Sequence, residues 1–259
     1  MLRYALDRSL QGAIVLLVVG FIAFSLSASG DPISGTLGTD ATPAQRAQLT
    51  RELMLDRPYL IRYGRYLARA AHGDLGMSYA AQRPVAAVIG ERLPATIELG
   101  ATAIVASLLL GMSGGVFVAL RRNSWISRGL MAGSLIGMSL PTFVVGILMI
   151  TVFAVWFGWL PAFGRGTTML VGNWPTGLLT AGGIKALILP ALTLALPQAT
   201  LVMRLVRAEM LDVLRADFIR FARARGLPGR LVYLRHALRN TLVPVITITG
   251  LQIGSLLSF

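Results

Sequence analysis

The sequence predicts an all-α protein: a polytopic bundle of transmembrane helices. Three observations lead there. Of 259 residues, 55% are hydrophobic and 14% charged, whereas soluble domains carry about 25% charged residues. The mean hydropathy is +0.69. Apolar stretches of the length a helix needs to cross a bilayer, roughly 20 residues, recur along the chain. They cover residues 10–29, 97–120, 130–157, 187–206 and 240–259, which makes five spans. The same composition excludes a disordered chain. With no cysteine there is no disulfide framework, thiol nucleophile or cysteine-based zinc site.

Each element can be justified in turn. Residues 10–29 are apolar throughout and follow Arg3 and Arg8. Small residues near their end (Ser25, Ser27, Ala28) also allow a signal-peptide reading, but the apolar core is long and four further spans need no cleavable signal. Residues 30–96 form an extracytoplasmic segment with short helices. Thr42 and Pro43 suit the start of a helix through about Leu53. A second helix over about 58–71 aligns Tyr59, Tyr63, Tyr66, Leu67 and Ala70 on one face, a packing surface against the bundle or the lipid interface, and His72-Gly73-Asp74 ends it. Residues 97–259 form the membrane core. The third stretch, 130–157, is long and holds Pro141, which predicts a tilted or kinked span. Residues 158–186 are rich in glycine and carry Trp159 and Trp174, which suit the headgroup level.

Charge sets the topology. The net charge is +13. Arg121, Arg122 and Arg128 crowd one short connection, and residues 207–239 carry eight arginines against three acids. Five alternating spans put both segments and the N-terminus on one side, the cytoplasmic one by the positive-inside rule. The excess is thus a topology signal and not a nucleic-acid footprint.

Motifs that would carry chemistry fail. Gly111-Met112-Ser113-Gly114-Gly115 matches GxSxG but lies inside an apolar span, where a nucleophile elbow has no strand to follow. His72 and His236 fall on opposite sides of the membrane. The lone lysine, Lys185, lies between Ile184 and Ala186, so there is no Walker A motif and the chain is not expected to be an enzyme. The span interiors lack the Asp, Glu or His of an ion-coupled carrier, and neutral groups such as Thr193, Gln198, Thr247 and Gln252 are candidates to line a solute path or to bond helix to helix. Gly111 with Gly115, Gly129 with Gly133 and Gly137, and Gly250 with Gly254 predict close helix approach.

The informative part is cytoplasmic. Residues 209–227 place Phe218, Phe221, Ala222 and Arg225 on one helical face by spacing, and Gly226 with Pro228-Gly229 ends that helix. Three readings stay open from the residues: a solvated basic loop, a segment lying on anionic lipid, or a helix that inserts into a partner's groove.

Here the sequence resembles the permease subunits of bacterial ABC importers, in the dipeptide/oligopeptide/nickel permease family. ADFIRFARARGL (216–227) and LRHALRNTLVPVIT (234–247) carry the resemblance. ERLPATIEL (91–99), HGDLGMS (72–78), SLPTFVVG (139–146) and GWLPAFGRG (158–166) extend it along nearly the whole chain. The resemblance implies a bacterial inner-membrane protein with two cytoplasmic ABC ATPases, a second permease subunit (a heterodimer) and an extracytoplasmic solute-binding protein as partners, in the lipid bilayer. It implies no cofactor on this chain, with ATP and magnesium used by the ATPases. It also implies a coupling helix formed by Asp217, Phe218, Phe221, Ala222, Arg223, Ala224, Arg225 and Gly226. The general permease motif EAAxxxG maps its glycine on Gly226 and its last alanine on Ala222. Arg220 and Phe221 stand where it has Glu and Ala, a departure usual in the peptide branch. The family normally has six spans and continues past the point where this sequence stops, so a truncated or decayed permease acting as a scaffold is the alternative, and a carrier or channel the third.

Overall fold

The computed structural model describes residues 2–29, 42, 50, 57–78 and 81–256. It is helical almost throughout, with two small hairpins. The helix expected from Thr42 to Leu53 lies outside the described residues. The chain divides into two compact units, Met1–Arg92 and Leu93–Phe259.

In the first unit, α1 (Leu2–Ser29) begins earlier than the predicted residue 10 and runs through the apolar stretch. The second helix, α2 (Tyr59–Ala71), starts just after Pro58. Its tyrosine face is a packing surface, and the surface it packs on is α1. The Tyr63 hydroxyl donates to the Leu17 carbonyl at 2.6 Å, and the rings of Tyr59, Tyr63 and Tyr66 surround Phe24. The helix ends as Gly73 predicts. Gly73 adopts φ +82°, its amide donates to Ala70, and the Asp74 amide donates to Arg69, the paired bonds of a Schellman cap. A short hairpin, β1 (Met77–Ser78) with β2 (Arg83–Pro84), follows.

The second unit is a helical bundle. Helix α3 (Val85–Leu120) reaches it from well before the predicted boundary at residue 97, because Pro94 is accommodated inside the helix. At 1.5 Å per residue its 36 residues span about 54 Å, longer than the roughly 30 Å hydrocarbon layer. The stretch expected to cross as one span, 130–157, is instead broken. Helix α4 (Trp125–Ser139) and helix α5 (Thr142–Met149, continued as a π-helix over Ile150–Trp156) meet at 111°. Pro141 is the cause. Its ring disfavours helical backbone at the preceding residue, and Leu140 is extended at φ −83°, ψ 129°.

A second hairpin pairs β3 (Met169–Val171) with β4 (Trp174–Thr176). Its two-residue turn places Gly172, at φ +63°, first, where a type II′ turn needs glycine. Helix α6 (Ala181–Val213) is capped by Thr180, whose hydroxyl oxygen accepts from the Gly183 amide at 3.1 Å. After a turn comes the short helix α7 (Asp217–Ala224). A helical turn at Gly229–Leu231 and a π-helix, Val232–Ala237, lead into α8 (Leu238–Leu256).

Among the described residues, three helices are long and apolar enough to cross a membrane, α1, α3 and α6, or four if the broken pair is one span. The predicted fifth span is helical as α8 over its described part, and there it does not reach the same length and apolarity. Helix α3 packs on α6 through Gly111 and Gly115 as their spacing predicts. A β-carbon on Gly111 would stand 2.7 Å from Val202 Cβ. Of the other glycines, Gly137 would place a β-carbon 3.5 Å from Thr200 Oγ1 of α6, and among the described residues nothing lies within 4 Å of one built on Gly129, Gly133, Gly250 or Gly254.

Candidate functional site

The segment after α6 forms a shelf on the bundle. Ala216 precedes α7, and Asp217 in the first turn complements the positive helix start. The helix closes with the same cap as α2. Gly226 sits at φ +77°, its amide donates to Arg223 at 2.9 Å, and the Leu227 amide donates to Ala222 at 3.3 Å.

The two sides of α7 differ. Ile219 (0% exposed) and Ala222 (7%) join a buried cluster with Val206 and Met210 from the end of α6 and Val232 and Ala237 from the π-helix. Phe218 (46%) and Phe221 (64%) stay exposed, and the Arg225 guanidinium lies 5.6 Å from the Phe221 ring centre. The sequence spacing put Ala222 on the outward face with the two phenylalanines, and the structure turns it inward instead. Ile219 and Ala222, three residues apart, share the inner face that meets Val206 and Met210. Arg220 pairs loosely with Asp217 at 3.5 Å on the surface, a contact of little energetic weight. Arg223 and Ala224 complete the exposed last turn.

The predicted path residues lie on α6 (Thr193, Gln198) and α8 (Thr247, Gln252). Thr193 and Thr247 spend their hydroxyls on their own helices, donating to Leu189 and Val243. Gln198 Oε1 and Gln252 Nε2 are buried without a hydrogen-bond partner among the described residues. Thr193 lines a cavity of about 560 Å³ that also touches Leu99, Gly100, Ile150, Phe163 and Leu189.

Glu98, near the start of the apolar stretch 97–120, has contacts that its position in the sequence does not reveal. The side chain is 4% exposed. It accepts from Trp174 Nε1 at 3.2 Å, the Gly177 amide at 3.1 Å and Arg165 Nη2 at 3.3 Å. Arg165 donates to the Pro175 carbonyl as well. Glycines make the approach possible. A β-carbon on Gly183 would lie 2.3 Å from the Gly177 oxygen, and one on Gly166 equally close to the Gly182 oxygen. A lone carboxylate in an apolar stretch, with an arginine and a tryptophan in the Gly-rich connection that follows, was the signal available.

The rejected motif stays rejected. Ser113 donates to the Leu109 carbonyl of its own helix. No group of three or more metal-ligating side chains occurs among the described residues.

The fold is thus a polytopic helical bundle of the membrane type that carries an exposed pair of phenylalanines on a short helix. Residues 111–259 match the family described as binding-protein-dependent transport system inner membrane component, and residues 1–100 match that family's N-terminal region. The dipeptide transport system permease protein DppB of Alkalihalophilus pseudofirmus is 37% identical, over 99% of this chain and 81% of its own length. The glutathione transport system permease protein GsiC of Escherichia coli K12 is also 37% identical, over 99% and 79%. A putative peptide transport system permease protein of Brucella abortus is 37% identical over 95% and 76%. The chain belongs to the binding-protein-dependent transport system inner membrane components, as an ABC transporter permease subunit that forms part of a translocation pathway. The family is a transport permease and not a catalytic enzyme, and in such systems partner ATPases use the ATP.

Proposed function

We propose that this permease subunit imports peptides or a related small solute, delivered by an extracytoplasmic solute-binding protein, and that two cytoplasmic ATPases drive the transporter, one of them docking on residues 217–226 of this chain. A second, different permease subunit completes the pathway. The observation that carries this reading is the division of α7: Phe218 and Phe221 face outward while Ile219 and Ala222 root the same helix in the bundle core. An apolar pair held on a fixed helix is what helix-in-groove recognition requires. A push on Phe221 is passed through Ile219 to Val206 and Met210, so α6 moves with the shelf.

Exposed Arg220, Arg223 and Arg225 around the pair favour an acidic rim on the ATPase groove. The arginine-rich segments 121–128 and 207–239 support a cytoplasmic position for α7 and for the N-terminus. The peptide class rests on the names of the relatives. Gln198 and Gln252, each with one buried amide atom (Oε1 and Nε2) that has no partner among the described residues, are the path residues best placed to meet a solute, with Thr193 and Thr247 beside them in the proposal.

Affinity purification of the tagged chain from native membranes tests the assembly. A P-loop ATPase and a second permease are expected to co-purify with the wild type. Their absence from an intact membrane preparation would sink the reading in favour of a scaffold.

A further inference from the structure

The outer network around Glu98 does more than pin a loop. The strap 161–164 forms one wall of the 560 Å³ cavity, opposite Leu99, Gly100, Ile150, Leu189 and Thr193. Arg165 follows the strap directly, and Glu98 precedes Leu99 and Gly100 directly. The ion pair at 3.3 Å therefore joins the two walls at their edge.

Three facts give this contact leverage. First, the strap has little apolar anchorage of its own, since Phe163 is 91% exposed. Second, glycines with positive φ stand before it, at its end and just after it: Gly158 at +62°, Gly164 at +89° and Gly166 at +67°. Such positions absorb the backbone rotation of a hinge. Third, the carboxylate is buried and fully engaged, so its charge is held by Trp174, Gly177 and Arg165 together. Breaking one arm of a buried charged network is costly, which makes the closed arrangement well defined. The same carboxylate also fixes the hairpin through Trp174 and the approach to α6 through Gly177.

We propose that Glu98, acting through Arg165, is a positioning residue for solute entry: the pair holds the 161–164 strap over the outer cavity, and release of the pair opens it. This rests on the chain being a permease subunit and not on the identity of the solute. The cavity's wall is apolar apart from the hydroxyls of Thr96 and Thr193, so the part of a solute it admits is uncharged.

The chain's lack of cysteine makes the test direct. Ala186 lines the cavity and is buried, so Ala186→Cys in the assembled transporter reports access when a membrane-impermeant maleimide is added and labelling is read on this chain alone. With Glu98→Gln or Arg165→Gln, labelling is expected to run about tenfold faster or more, the scale set by losing a charge-assisted hydrogen bond. Arg165→Lys, which keeps the charge, should restore the slow rate. Native-rate labelling in assembled Glu98→Gln and Arg165→Gln transporters overturns the proposal. If Glu98→Gln does not assemble, Arg165→Gln carries the test, because that side chain is partly exposed. If neither assembles, the pair is a structural anchor only and the proposal is wrong. No substrate is needed, so the result stands apart from the peptide reading.

Discussion

Gly115 and Val206 touch across the α3–α6 contact so closely that a β-carbon on the glycine would stand 2.7 Å from Val206 Cβ and 2.8 Å from the Met203 oxygen. Val206 is at the same time part of the cluster that holds Ile219 of α7. One face of α6 thus meets α3, and its end carries the shelf.

Gly115→Ala should therefore loosen the bundle. Overpacking a tight contact costs about 1–3 kcal/mol, and the neighbours include the Met203 carbonyl, backbone that cannot rotate away. The thermal midpoint of the detergent-purified subunit should fall. Gly133→Ala, with open space around its β-carbon, should leave that midpoint unchanged.

The two sides of α7 should separate in mutagenesis. Phe221→Ala should weaken ATPase co-purification while the subunit stays folded, because the ring is exposed. Ile219→Ala removes a fully buried side chain and should cost about 2–5 kcal/mol of stability. Equal loss of folding in both variants would contradict the division of the helix.

Gly226 sits in the left-handed region with nothing near its β-carbon. Gly226→Ala should cost only the conformational penalty, about 1–2 kcal/mol, and keep some uptake. Gly226→Trp should abolish ATP-dependent uptake while membrane insertion, read by fractionation, is unchanged. Uptake at the wild-type rate in Gly226→Trp would end the coupling assignment.

Asp74 answers to pH. Its carboxylate accepts from Arg69 at 2.7 Å and from the Gly76 amide at 2.9 Å, and these bonds hold its pKa below the usual carboxylate value. A lowered folded-state pKa means the stabilisation is fully present above the unfolded value, about 3.9, and fades as pH falls through the folded one. Asp74→Asn should increase proteolysis of the 69–76 turn at neutral pH, and the difference from wild type should vanish at strongly acidic pH.

Much of the fold was legible because lipid exposure writes itself into composition. Residues 10–29, 97–120 and 187–206 read as helices from apolar length alone, and Gly73 and Gly226 marked helix ends through their φ. The tyrosine face of α2 was visible from its spacing, but its partner was not. The Gly111–Gly115 pair and the Gly129–Gly133 pair look alike in sequence, yet among the described residues only the first stands so close to another helix that a β-carbon would collide with it. Spacing also grouped Ala222 with Phe218 and Phe221, whereas in the structure it shares the inner face with Ile219.

By itself, the sequence determined the class of fold: an all-α bundle of membrane helices with an aromatic, arginine-rich segment between helices. Those features follow from residue type and local periodicity. The tertiary structure alone decided the sharp break at Leu140–Pro141, the inward turn of Ala222 and the meeting of Glu98 with Arg165, Trp174 and Gly177. Each of these depends on which backbone lies within a few ångströms of a side chain, and for Glu98 the partners lie 67 to 79 residues away along the chain.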